Sequence, residues 1–202
     1  MKIIRTLLAL LGATILLGAL AGAASARNFS ISSQLLRGTW RSVEYVIPGA
    51  TARCQLTLEG SFHSRTAPKV IGSLVGYITS AILGPCASGV ATILRETLPW
   101  HSRYSGFEGT LPNISSIIGH AANVSARIRE AGGITCLYRS TASEPAIISL
   151  HRSTVTQEIT EAGLTGRIRT GIECFGAAGV ITSDSGQIMV QNSSTRITLS
   201  LI

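Results

Sequence analysis

Apolar and polar residues alternate with a period of two over several short stretches of the chain. From Ala52 to Glu59, the apolar set Ala52, Cys54, Leu56 and Leu58 interleaves with Arg53, Gln55, Thr57 and Glu59. This is the rhythm of a strand with one buried face. It recurs in Ala122, Val124, Ala126 and Ile128, set against Asn123, Ser125, Arg127 and Arg129, and in Leu164, Ile168, Ile172 and Cys174, set against Thr165, Arg167, Arg169 and Glu173. Ile197, Leu199 and Leu201 repeat it near the end. Gly132-Gly133 predicts a tight hairpin, while Asp184-Ser185-Gly186 and Asn192-Ser193-Ser194 predict turns that divide the last third into a meander. Two stretches tempt a helical reading: Val90, Ile93, Leu94 and Thr97, and the segment from Thr154 to Ala162. Both are rich in β-branched residues and lack good caps, so strand or irregular structure is expected. Short strands with glycine-rich turns predict an all-β, antiparallel β-sandwich forming a single domain over residues 27–202, with an eight-stranded β-barrel as the alternative.

The N-terminus changes the picture of where that domain works. Lys2 and Arg5 precede an uncharged run from Thr6 to Ala24 that ends in Ala24-Ser25-Ala26, the small-x-small pattern of a cleaved signal peptide. Residues 1–26 are therefore expected to be a leader, cleaved after Ala26. An uncleaved anchor is the alternative, because the run is just long enough to span a bilayer of about 30 Å. No spanning helix is expected after cleavage. Removing Lys2 and Arg5 lowers the formal charge from +7 to +5. The remaining arginines are scattered, with neither a basic stripe nor a reading motif, so no nucleic acid partner is expected. A membrane-embedded barrel would need aromatic girdles at both interfaces, and the chain has ten aromatic residues in all.

All four cysteines, Cys54, Cys86, Cys136 and Cys174, follow the leader, and an even count in an exported chain reads as two disulfides. Cys54–Cys86 with Cys136–Cys174 is the favoured pairing, since each ties neighbouring segments; the other two pairings stay open. Each bridge would close a loop of roughly 30 to 40 residues and add about 3–4 kcal/mol in the chain-entropy model. A metal site with His63, His101, His120 or His151 is the rival reading, but no ligand pair has helical or knuckle spacing. No cofactor is expected.

Catalytic motifs are sparse. Ser183-Asp184-Ser185-Gly186 is superficially like a serine-protease nucleophile segment. Asp184 is the only aspartate, however, and a triad needs a second carboxylate to orient its histidine, so a self-bonded turn is the better reading. No nucleophile elbow, phosphate loop or dinucleotide fingerprint occurs. The most distinctive stretch is Leu98-Pro99-Trp100-His101-Ser102-Arg103-Tyr104-Ser105-Gly106-Phe107. In an extended strand Trp100 and Tyr104 share one face and His101 and Arg103 the other. The candidate binding residues are thus Trp100, Tyr104 and Phe107 as a stacking platform, with His101 and Arg103 behind it. The competing and preferred reading sinks the large rings into the core and leaves His101 and Arg103 on the surface.

The order Cys54-Gln55-Leu56-Thr57-Leu58-Glu59-Gly60, Lys69 with Gly72, Gly76 and Ile78, Cys86, Leu98-Pro99-Trp100-His101, Gly109-Thr110-Leu111-Pro112-Asn113 and Cys136-Leu137-Tyr138 resembles a group of exported bacterial proteins of unknown function. More loosely, the Cys-x-Leu-x-Leu-x-Gly start followed by Leu-Pro-Trp is similar to the secreted activators of alkane oxidation. That resemblance implies a small extracellular protein that assists use of an apolar substrate without transforming it, and it brings no site residues. The expected function is that of a non-enzymatic, secreted or periplasmic structural or binding module for a surface polymer, an apolar compound or a protein partner. An outer-membrane β-barrel and a secreted hydrolase using glutamates or His101 are the alternatives.

Overall fold

The computed structural model describes residues 28–129, 133–171, 174 and 176–202. The expected leader over residues 1–26, Gly132, Ile172 and Glu173 lie outside them. The chain forms β1 (Asn28–Ile31), β2 (Leu35–Ile47), β3 (Ala50–Phe62), β4 (Thr66–Pro68), β5 (Leu74–Ser88), β6 (Ala91–Ile93), β7 (Trp100–Thr110), β8 (Asn113–Ala121), β9 (Ser125–Arg129), β10 (Thr135–Arg139), β11 (Ala146–Arg152), β12 (Ile159–Thr170), β13 (Ala178–Ser183), β14 (Gln187–Val190) and β15 (Leu199–Leu201). The first stretch that tempted a helix becomes β6 and a single 3-10 turn, Arg95–Thr97; the second becomes a turn leading into β12.

The all-β, antiparallel expectation holds, and the ladder closes on itself. The strands pair in the order β11-β8-β7-β5-β3-β2-β13-β12, and β11 pairs with β12 as well as with β8. Opposite walls of this ring face each other across an apolar core as the layers of a sandwich do, and both sides are sealed as in the eight-stranded alternative. Closure gives each of these eight strands a partner on both sides over at least part of its length, although β5 meets β7 only through Leu74–Ile78, and this limits the open edge that templates edge-to-edge aggregation. Beyond β12 the ladder continues through β10, β9 and β6, and a separate sheet, β15-β1-β4, packs on the molecule.

Alternation decides which side chains face inward. Ala52, Cys54, Leu56 and Leu58 of β3 are all buried, as are Ala126 and Ile128 of β9 and Leu164 and Ile168 of β12. Both disulfides take the favoured pairing. Cys54–Cys86 joins neighbouring strands β3 and β5, and Cys136–Cys174 ties β10 to the segment after β12.

One turn expectation is corrected. Asp184-Ser185-Gly186 does not reverse the chain, because β13 pairs with Val43–Val46 of β2 and β14 pairs with Leu36–Thr39, both antiparallel. The two strands are one run along β2, interrupted where Trp40 needs room. The Trp40 indole Nε1 donates to the Ala162 carbonyl at 2.9 Å. A Cβ on Gly186 would lie 2.3–2.6 Å from three atoms of that ring.

Arg152 fastens the small sheet to the ring. It is 7% exposed, and it donates through Nε to the Ile114 carbonyl at 3.1 Å and through Nη1 to the Leu199 carbonyl at 2.8 Å. Desolvation draws its guanidinium below the ordinary range, yet an arginine stays charged in a protein. Phe29 of β1 meets Tyr104 of β7 with ring centroids 5.8 Å apart.

Candidate functional site

Two kinds of space are available to a ligand, and their sizes decide between them. Inside the ring lies an open apolar pocket of about 70 Å³ bordered by Leu36, Trp40, Phe62, Ile148, Leu150 and Ile188. Small-molecule sites usually run to about 300–1,000 Å³, so the filled interior leaves no room for an ordinary ligand. On the outer wall, β7 and β8 form the floor of a cleft of about 460 Å³ that includes His101, Arg103, Tyr104 and His120.

The cleft follows from the two-faced character of β7. Trp100 and Tyr104 turn inward and are 3% and 4% exposed, while His101 and Arg103 point out. Trp100 is fixed in the core: its indole Nε1 donates to Thr97 Oγ1 at 3.0 Å, and Thr97 Oγ1 and Ser125 Oγ share a hydrogen bond of 2.8 Å. Burial raises the Tyr104 phenol above its ordinary pKa. Phe107 lies past a register shift between Tyr104 and Gly106 and is partly buried against the core. The preferred sequence reading of the aromatics as core therefore stands for Trp100 and Tyr104, and they form no open stacking platform.

His120 is the residue that sequence reasoning did not bring to this site. It pairs with Arg103 in the β7–β8 ladder, which puts the two Cβ atoms about 4.5–5.5 Å apart on the outer face. His101 lies two residues along the same face, about 7 Å from Arg103. A hairpin centred on Leu111-Pro112 was the available signal, because it places Arg103 opposite His120. On the other flank, the ring of Tyr77 meets His101 edge-on at 5.1 Å, and Tyr77 Oη and His63 Nδ1 are 3.3 Å apart.

Both walls of the cleft are held in place. In the segment 68–73, Gly72 N donates to the Tyr104 carbonyl and Tyr104 N to the Ser73 carbonyl, each at 2.8 Å. Arg103 Nη1 donates to the Gly72 carbonyl at 2.8 Å. Gly72 has φ +84°, a conformation that costs a residue with a Cβ, and it lets the segment present Val70 and Ile71 to solvent, 63% and 78% exposed. The opposite wall, 140–145, hangs from Ser140, which is 1% exposed. Its Oγ donates to the Ala121 carbonyl at 3.1 Å and accepts from Val124 N at 3.0 Å. Glu144 accepts hydrogen bonds from Arg169, and these hold its carboxyl below the ordinary range, with the Arg167 charge adding to the effect.

The resulting floor is cationic in character. Among the described residues Arg103 and two imidazoles line it and no carboxylate does, while Ile71, Pro99, Ala122, Ala142 and Pro145 supply apolar rim. Other hollows of similar volume gather less: one has Arg95 as its only charged residue, one has both Arg41 and Asp184, and one has Arg139 with Arg169, whose charge Glu144 takes up. Among the described residues no three histidines, cysteines or carboxylates gather as metal ligands. Neither His101 nor His120 hydrogen-bonds a hydroxyl or a carboxylate among them.

The fold and site define a disulfide-bonded, closed antiparallel β-ring with a rigid-walled basic cleft on its outer face. Compared with family models, curated proteins and solved structures, the chain matches none of them.

Proposed function

We propose that the protein is an exported, non-enzymatic binding module that takes its ligand in the outer cleft of β7 and β8. The observation that supports this best is the meeting of Arg103, His101 and His120 between two tethered walls. Preorganised walls lower the ordering cost of binding. The two disulfides fit an oxidising compartment outside the cytosol.

The alternatives draw less support. A hydrolase needs a nucleophile and a base in hydrogen-bond contact, or two facing carboxylates. The cleft imidazoles have no such partner, and Glu44, Glu59 and Glu144 are paired with Arg53, Arg37 and Arg169 on the surface. An outer-membrane barrel would bring Arg37, Arg53, Arg103, Arg167 and Arg169, all exposed, to lipid, at about 2–4 kcal/mol for each at the midplane.

The test is imidazole NMR of the exported protein during titration with surface polysaccharides, alkanes and amphiphiles. A ligand that shifts His101 and His120 while leaving His151 in place supports the reading. No movement of either imidazole with any compound refutes it.

A further inference from the structure

We infer that the cleft selects a small amphiphilic oxyanion, a carboxylate or phosphate head on an apolar body; this rests on the binding-module reading above. The floor recognises the head. Arg103 is clamped by one nitrogen to the Gly72 carbonyl, so its guanidinium is oriented while Nε and Nη2 have no protein acceptor among the described residues. A planar fork of this kind matches the oxygens of a carboxylate or phosphate. His120 directly across the ladder and His101 along the strand add donors on the same face, and among the described residues no lining carboxylate competes for them.

The walls recognise the body. Ile71 is 78% exposed on a segment fixed by three hydrogen bonds, so its exposure is built into the rim. Pro99, Ala142 and Pro145 complete an apolar surround. A bare inorganic anion would leave these walls wet, and a neutral apolar compound would strip water from the cationic floor without replacing its hydrogen bonds. A ligand with both parts satisfies both surfaces, and a cleft of about 460 Å³ falls within the usual small-molecule range.

Octyl phosphate, octanoate and octyl glucoside below their micelle concentrations, 1-octanol below its solubility, and inorganic phosphate are titrated into the exported protein by calorimetry and imidazole NMR. Octyl phosphate and octanoate are expected to bind at least tenfold more tightly than 1-octanol, octyl glucoside or inorganic phosphate, and to shift His101 and His120. Arg103→Met should weaken both anions tenfold or more. Ile71→Asn should weaken octyl phosphate several-fold and leave inorganic phosphate unchanged. If Arg103→Met loses its fold with the Gly72 clamp, His120→Gln takes its place and should weaken the anions at least threefold.

Equal affinity for octyl phosphate and octyl glucoside, or for octyl phosphate and inorganic phosphate, overturns the ligand class while the binding-module reading survives. Silence of both imidazoles towards every compound overturns both.

Discussion

Gly186 tests whether the Trp40 ring is what fills the interior. In Gly186→Ala the new methyl carbon would fall 2.3–2.6 Å from Nε1, Cε2 and Cδ1 of Trp40, well inside contact distance. The indole cannot retreat freely, because its Nε1 is tied to the Ala162 carbonyl and its far edge lies against Gly38, where a Cβ would come within 2.7–2.8 Å of the same ring. Overpacking of this kind costs about 1–3 kcal/mol. Losing the indole hydrogen bond adds about 0.5–1.5 kcal/mol. The smaller entropy of the unfolded alanine chain returns about 0.4–1 kcal/mol. The net expectation is a destabilisation of about 0.5–4 kcal/mol, read as a lower urea midpoint with unchanged slope. Gly163→Ala is the matched control on the neighbouring strand, since its nearest atom, Ser149 Cβ, is 4.0 Å away; it should be neutral or slightly stabilising. In a Trp40→Phe background the Gly186→Ala penalty should shrink by about 1 kcal/mol or more, a coupling that only neighbours show. Equal midpoints for the two alanine variants would refute the packing argument.

Two further outcomes follow from buried polar groups. Arg152→Met removes two charge-assisted hydrogen bonds while relieving a buried charge, and should cost about 2–4 kcal/mol; amide exchange should quicken first in β1 and β15, the strands it fastens. Tyr45 is 2% exposed, and desolvation raises its phenol above the ordinary range. The folded state then holds its proton where the unfolded chain gives it up, so stability is complete below about pH 10 and falls as pH rises beyond it. Tyr45→Phe should flatten that alkaline limb in denaturant titrations, and an unchanged limb would show that another group controls it.

What the sequence disclosed was the part of the fold that a period of two encodes. The inward sets of β3 and β12 and the inward turn of Trp100 and Tyr104 are local properties legible residue by residue; in β9 the same rhythm placed Ala126 and Ile128 correctly but put Ser125, which is 1% exposed, on the outward face. The pairing of cysteines that ties neighbouring segments was likewise the one the structure holds. Closure of the ring was not legible, because it depends on the β11–β12 register, in which Ile148 meets Leu164, and neither segment signals that partner by its own composition. Asp184-Ser185-Gly186 misled for a related reason: small polar residues suit a turn, and they equally suit a gap in a strand where Gly186 must admit an indole from β2. The candidate site was half visible. His101 and Arg103 were readable from β7, whereas His120 joined them only through the hairpin register, and the tethering of the 68–73 wall rests on backbone bonds to Tyr104 that no side-chain pattern announces.

The 140–145 wall of the cleft is anchored by Ser140, and that makes the site separable from the ring in an experiment. Its hydroxyl is the single link that serves both ends of the β8–β9 connection, donating to the Ala121 carbonyl and accepting from Val124 N, while its backbone N donates to the Val124 carbonyl and its own carbonyl accepts from Asn123 N. Ser140→Ala keeps the backbone pair and deletes the hydroxyl, leaving one buried donor and one buried acceptor exposed to loss. That costs about 1–3 kcal/mol, small against the closed ring but concentrated on the 140–145 wall. Exchange of the Val124 amide should accelerate by tenfold or more, with ligand affinity at the cleft falling in step, while the amides of β3 and β5, cross-linked by Cys54–Cys86, stay protected. Uniform acceleration across all of these strands would mean that the wall and the ring unfold as one unit, and the idea of a site built on an independent rim would fall.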